Sequence, residues 1–250
     1  MTETKRVPAA YKAIKWLIRA LSPKMRVEGL ENLPEGEAVI VGNHAHMYGP
    51  IAAELYLGND RHIWCAAQMM ALKEMPAYAY QDFWSMKPWY THWYYRLFSY
   101  LVAPFCVLVF NHAHTIPVYR DARVMTTFRQ TLRLLERGEK IVIFPEHTVP
   151  HNNIVYDFQD RFIDLARMYY QKTQKELCFV PMYTAPKLKK MVLGKPIRYR
   201  ADQPLDQERQ RIKEELMGAI TQIGQSLPPH TVIPYAVMPK KDYPFSRINE

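Results

Sequence analysis

Short apolar runs that stop at polar clusters set the frame of this chain. Ala38–Val41, Ile63–Ala67, Ile116–Tyr119, Ile141–Phe144 and Leu177–Tyr183 are strand-length, and stretches of helical period separate them. Continuous apolar runs of this length, with turn residues at their ends, suit strands covered on both faces of a parallel sheet. Pro50–Leu57 reads as a helix with Pro50 at a favoured first-turn position. Val124–Glu136 follows a 3–4 spacing through Val124, Phe128, Leu132 and Leu135, and Gly138 stops it. Phe158–Tyr170 reads as another helix. Asp206 is expected to cap a last one, with Ile212, Leu216, Ile220 and Ile223 on one face. This alternation predicts an α/β fold: a single domain with a mixed, largely parallel sheet flanked by helices. In such sheets ligands bind beyond the carboxyl ends of the strands. The polar clusters Asn43–His46, Arg120–Asp121 and Glu146–Thr148 each follow a strand, so the fold is expected to gather them.

Three segments frame this domain. Residues 1–24 hold an amphipathic helix, in which Ile14, Leu17, Ile18 and Leu21 share a face and Lys12, Lys15 and Arg19 lie elsewhere. It suits docking on the core and a membrane surface equally. Residues 25–227 are the α/β domain, with an aromatic-rich insert over 64–110. Residues 228–250 are a Pro-rich tail that wraps the surface. The apolar run Leu97–Phe110 is 14 residues and holds Pro104; a bilayer span needs roughly 20. No secretory signal is visible. Cys65, Cys106 and Cys178 are odd in number and far apart, which suits reduced thiols in the cytoplasm.

The chain carries a net charge of +9, which favours anionic partners. Its 17 Tyr and 5 Trp beside many basic residues suit a membrane interface. No stacking motif of the RNA-recognition type is present, and the basic residues are scattered rather than striped, so no nucleic-acid partner is expected. The string "NHAH" occurs at 43–46 and again at 111–114, without wider self-similarity, and reads as coincidence.

Four blocks in order resemble the glycerolphosphate / lysophosphatidic acid (1-acylglycerol-3-phosphate) acyltransferase family, the PlsC-like acyltransferases. "MRVEGLENLPEGEAVIVGNH" is similar to the entry to its first motif, "TIPVYR" (115–120) to the second, "FPEHT" (144–148) to the third and "FVPMY" (179–183) to the fourth. The resemblance implies transfer of a fatty acyl group from acyl-CoA or acyl carrier protein, the donor substrate, to a hydroxyl of a lysophospholipid or glycerol phosphate in phospholipid synthesis. It implies no cofactor and no metal. His44 would be the general base; positioned base catalysis is worth about 10² to 10⁴ in rate. Asn43 belongs to the same pair, Arg120 would make a forked contact with acceptor phosphate, and Glu146 and Thr148 would hold the acceptor or order the cleft. The enzyme would be cytoplasmic and peripheral at the inner face of an anionic phospholipid membrane.

Two positions depart from the pattern. The family's Asp, five residues after the histidine, is Gly49 here, and the usual Gly of the third block is His147. Three outcomes stay open. Another carboxylate substitutes, Glu54 being one helical turn on and Asp82 less constrained. A main-chain carbonyl orients the ring. Or the protein is a catalytically impaired lipid-binding relative. A further rival is a His-rich metal hydrolase built on His44, His46, His112, His114, His147 and His151, although "HAHMYG" offers no carboxylate to complete such a site. Read singly, His44 is equally a structural histidine in a turn, Arg120 an ion-pair partner of Asp121, and Glu146 a helix-start residue.

Overall fold

The structure is a computed structural model that describes residues 8–150 and 152–247, leaving aside the side chains of 148–150. The chain divides into two compact units: residues 1–23 with 65–124, and residues 24–64 with 125–250. The polypeptide therefore leaves the second unit after Trp64 and returns at Met125.

In chain order the elements begin with α1 (Ala9–Leu21), β1 (Arg26–Glu28), β2 (Ala38–Gly42), α2 (Tyr48–Tyr56) and β3 (Arg61–Ala66). Next come α3 (Met75–Ala79), α4 (His92–His112), β4 (Thr115–Val118), α5 (Val124–Leu135) and β5 (Lys140–Ile143). The last group is β6 (Glu146–Pro150), β7 (Tyr156–Phe158), α6 (Asp164–Thr173), β8 (Cys178–Ala185), β9 (Lys190–Leu193), β10 (Ile197–Arg198) and α7 (Leu205–Ser226).

In the second unit the sheet runs β1-β9-β8-β2-β5-β3. β1 with β9, β8 with β2, β2 with β5, and β5 with β3 are parallel, while β8 meets β9 and β10 antiparallel. The sheet is mixed, largely parallel and flanked by helices, as expected. Ala38, Val39, Ile40 and Val41 have no exposed surface, nor have Ile141, Val142, Phe179 and Val180. Each such Val or Ile contributes about 1.5–3 kcal/mol of transfer free energy. α2 leans Ala52, Ala53 and Leu57 on this layer. β2 and β5 end at nearly the same level, since the register aligns Val41 with Ile143, while β8 runs on past Pro181 to Ala185 beside the loop that follows β2.

Two expected elements change form. Phe158 ends β7, and α6 begins only at Asp164, after a tight turn over Arg161–Ile163. α7 follows Pro204, so Asp206 sits in its first turn rather than at its cap; there its carboxylate still complements the helix dipole. Gly138 ends α5 as expected, at φ +79°.

The first unit is built on α4. The helix is 21 residues long and continuous through Pro104. With the tight turn before it, the stretch Trp89–His112 is the one described helix long and apolar enough to cross a membrane, longer than the apolar run in the sequence suggests. One side packs on α3, with Met75, Ala79 and Ala103 buried. The other side is bare: Trp93, Leu97, Tyr100, Leu101 and Phe105 are each exposed by 60% or more. At 100° per residue these positions share one face of the helix. α1 turns Tyr11 inward against His112, with ring centroids 5.8 Å apart, and leaves Trp16, Leu17 and Leu21 exposed.

Candidate functional site

The loop after β2 carries the predicted histidine pair, and its shape follows from three constraints. Asn43, buried at the strand end, donates from Nδ2 to the Thr184 carbonyl at 3.0 Å and accepts the Thr184 N–H at 2.7 Å. This ties the chain just past the end of β2 to β8. Ala45 and His46 both adopt left-handed backbone conformations, at φ 45° and 53°. That double turn brings the His46 carbonyl back onto Nδ1 of the His44 ring. A carbonyl has no proton to give, so Nδ1 carries it and Nε2 of the neutral ring holds a lone pair.

Gly49 completes the turn. Its N–H donates to the His44 carbonyl at 3.0 Å. A Cβ at this position would lie 2.5 Å from the Asn43 carbonyl oxygen, 2.8 Å from that of His44 and 2.9 Å from the Phe144 ring. Two of those three are backbone atoms, so the turn admits no side chain there, and an aspartate least of all. The group that meets Nδ1 of the His44 ring is therefore a main-chain carbonyl, and position 49 offers it no carboxylate.

Glu146, at the start of β6, is 4% exposed. One oxygen accepts the His44 main-chain N–H at 2.5 Å, and the other accepts the Tyr156 N–H at 3.2 Å. It thus clamps the histidine loop to the β6–β7 hairpin. Burial pushes its carboxyl up to about 7, against the pull of those two N–H groups. The His44 ring lies edge-on to Phe144 (5.4 Å, 68°) and to Tyr235 (5.3 Å, 62°). Desolvation lowers its pKa to about 4, although the His46 carbonyl works the other way. His46 is also pulled down by burial, against a hydrogen bond with the Ala236 main chain.

The remaining predicted residues fall as follows. Glu54 pairs with Arg61, Nη2 to Oε2 at 2.5 Å, while Arg61 Nε donates to the Ala53 carbonyl at 2.9 Å. That carboxylate neutralises a guanidinium with no exposed surface. Thr148 lies on β6 with its side chain outside the described residues, and His151 also lies outside them. His147 is exposed. Arg120 belongs to the first unit, where it is exposed and its charge acts on Asp82, a carboxyl raised by burial. Asp121 pairs with Arg123 at 2.7 Å and not with Arg120. His112 donates its Nδ1 proton to the Leu108 carbonyl at 2.8 Å. Among the described residues no three His, Cys, Asp or Glu side chains come together as a metal site.

Tyr235, on the C-terminal tail, is not legible in the sequence as part of the site. Nothing in "VIPYAVMP" distinguishes that ring from a surface aromatic.

No family model matches the chain, and no curated protein matches it. The fold is similar to the crystal structure of the 1-acyl-sn-glycerophosphate (LPA) acyltransferase PlsC from Thermotoga maritima. That likeness covers 85% of this chain and 79% of that one, at 15% identity and a TM-score of 0.49.

Proposed function

We propose that the protein is an O-acyltransferase that moves a fatty acyl group from an acyl thioester, acyl-CoA or acyl carrier protein, to a hydroxyl of a lysophospholipid or glycerol phosphate. The observation that carries this reading is the Nδ1–H of His44 on the His46 carbonyl. It leaves Nε2 as the proton acceptor, the role a base in hydroxyl activation needs. The acceptor O–H gives its proton to Nε2 as its oxygen attacks the thioester carbon. The new C–O bond forms, the C–S bond breaks, and the thiolate leaves with the proton returned by the imidazolium. An imidazole kept from charging by burial gives that proton back readily. The Thr148 strand is the proposed contact for acceptor phosphate, with Asn43 and Glu146 holding the loop.

We propose further that the enzyme works peripherally at an anionic membrane on the cytoplasmic side. Supporting this are the bare aromatic face of α4, the absence of Asp and Glu from Trp89–His112, and Lys12, Lys15 and Arg19 on α1. The alternative, a lipid-binding relative that transfers nothing, is favoured by the enclosure of His44 between Phe144 and Tyr235.

A thiol-release assay over acyl-CoA and acyl carrier protein donors, with glycerol phosphate and a panel of lysophospholipids, tests the first proposal. Release that depends on the acceptor and vanishes in His44→Ala is expected; no release with any pair overturns it. Flotation with phosphatidylcholine vesicles, with and without phosphatidylglycerol, tests the second. Trp93→Glu with Leu97→Glu is expected to weaken binding by about 2 kcal/mol, roughly thirtyfold, and protein that never floats removes the membrane reading.

A further inference from the structure

The chain after α7 closes on itself. The His230 N–H donates to Ser246 Oγ at 3.0 Å, and the Ser246 N–H donates to the His230 carbonyl at 2.9 Å. Thr231 and Phe245 bridge antiparallel, and the Val232 N–H donates to the Pro244 carbonyl at 2.9 Å. The result is a compact loop whose ends meet. Its clasp is buried. His230 donates its Nδ1 proton to the Pro228 carbonyl at 2.8 Å, which leaves Nε2 to accept the Tyr183 hydroxyl of β8 at 2.8 Å. The sheet itself therefore anchors the loop.

Two rings of the loop, one from each arm, rest on the two histidines of the β2 loop. Tyr235 meets the His44 ring edge-on, and Tyr243 meets the His46 ring at 5.9 Å and 85°. Tyr235 also touches Tyr156, at 6.5 Å. The loop is not packed solid beneath. A cavity of about 230 Å³ lies between Val232, Pro234, Ala236 and Met238 on one side and Ile154 and Tyr156 on the other.

We infer that the loop His230–Ser246 is part of the reaction site and that Tyr235 is a positioning residue for His44. Its ring, with that of Phe144, sets the imidazole edge-on and keeps water off it, so that Nδ1–H goes on donating to the His46 carbonyl. This rests on the reading of His44 as the base. The titratable groups that face His44 are His46 in its own loop, Glu146 from β6 through the main chain, the Tyr235 phenol from the tail, and Tyr156 behind it.

The test reads the ring and the chemistry separately. The His44 imidazole is titrated by NMR in full-length protein carrying Tyr235→Ala, Tyr235→Phe or Ser246→Ala, and thiol release is followed against pH for each. Tyr235→Ala is expected to raise the His44 midpoint by about one pH unit or more, toward the ordinary histidine value, and to carry the acid limb of thiol release with it. Tyr235→Phe leaves both in place, since the ring and not the hydroxyl is needed. Ser246→Ala loosens the clasp and shifts the midpoint the same way by less. A folded Tyr235→Ala protein with an unmoved midpoint overturns the inference, as does a Tyr235→Phe protein that shifts as far as Tyr235→Ala. If Tyr235→Ala does not fold, Ser246→Ala decides, and an unmoved midpoint there overturns it. A midpoint that shifts in a protein releasing no thiol would instead defeat the acyltransfer reading and leave the positioning role standing.

Discussion

The string Asn-His-Ala-His occurs at residues 43–46 and at 111–114, and the two copies fold into unlike things. Each first histidine gives its Nδ1 proton to a main-chain carbonyl, and each second histidine adopts a left-handed backbone, at φ 53° and 51°. There the likeness ends. His112 bonds backward to Leu108, one turn down the helix it terminates, and Asn111 caps exposed carbonyls of Met70 and Val107. His44 bonds forward, across a turn that follows a buried strand, and Asn43 is sealed against β8. Chemistry here is decided by the strand end and the packing around it, and not by the four letters.

The largest effect expected from this contrast is on rate. His44→Ala should lower acyl release by about 10² to 10⁴, the worth of a positioned base, while His112→Ala leaves it unchanged. Equal losses in the two variants would mean that neither ring has a special place. Next comes Gly49→Asp, which puts a carboxylate five residues after His44. It should cost about 4 kcal/mol in a denaturant melt, since overpacking against backbone and burial of an unpaired carboxylate add. A Gly49→Asp protein that keeps its stability, and gains activity, would show that the turn opens freely and that the carbonyl is not the ring's settled partner.

Much of this is legible in the sequence. The strands from Ala38, Ile141 and Leu177 announce themselves because full burial demands unbroken apolar runs, and the alternation with helices then dictates the sheet. His44 can be located because it follows such a run. Its partner cannot be read, because a carbonyl belongs to every residue and only the left-handed pair Ala45–His46 aims one at the ring. Glu146 is visible as a residue but not in its duty, since two N–H groups from distant main chain leave no trace in composition. Tyr235 escapes for the same reason: its place depends on the clasp between His230 and Ser246, a pairing that no local pattern encodes. The length of α4 is masked by Pro104, which a helix tolerates where the bond it removes would have used the carbonyl of an exposed residue, here Tyr100.

The smallest effect isolates the clamp. Glu146 has its pKa raised from 4.5 to about 7 in the folded protein, so between those values the native state holds more protons than the unfolded one, and stability falls as pH rises. His44 has its pKa lowered from 6.5 to about 4, so between those values the unfolded state holds more protons, and stability rises with pH. Each contribution is on the order of 3 kcal/mol over its window, and across pH 4.5–6.5 they nearly cancel. Glu146→Gln removes only the falling one. A glutamine oxygen still accepts one of the two N–H groups, so the variant should lose roughly 1–3 kcal/mol at pH 5, where the native carboxyl is largely protonated. Between about pH 4.5 and 7 the gap to the parent should then close by up to the order of 3 kcal/mol, as measured by urea midpoints across that range. A constant gap would mean that the carboxylate is ionised throughout. The His44 amide would then be held by a charge, and the turn after β2 would differ from its copy at the end of α4 in electrostatics as well as in packing.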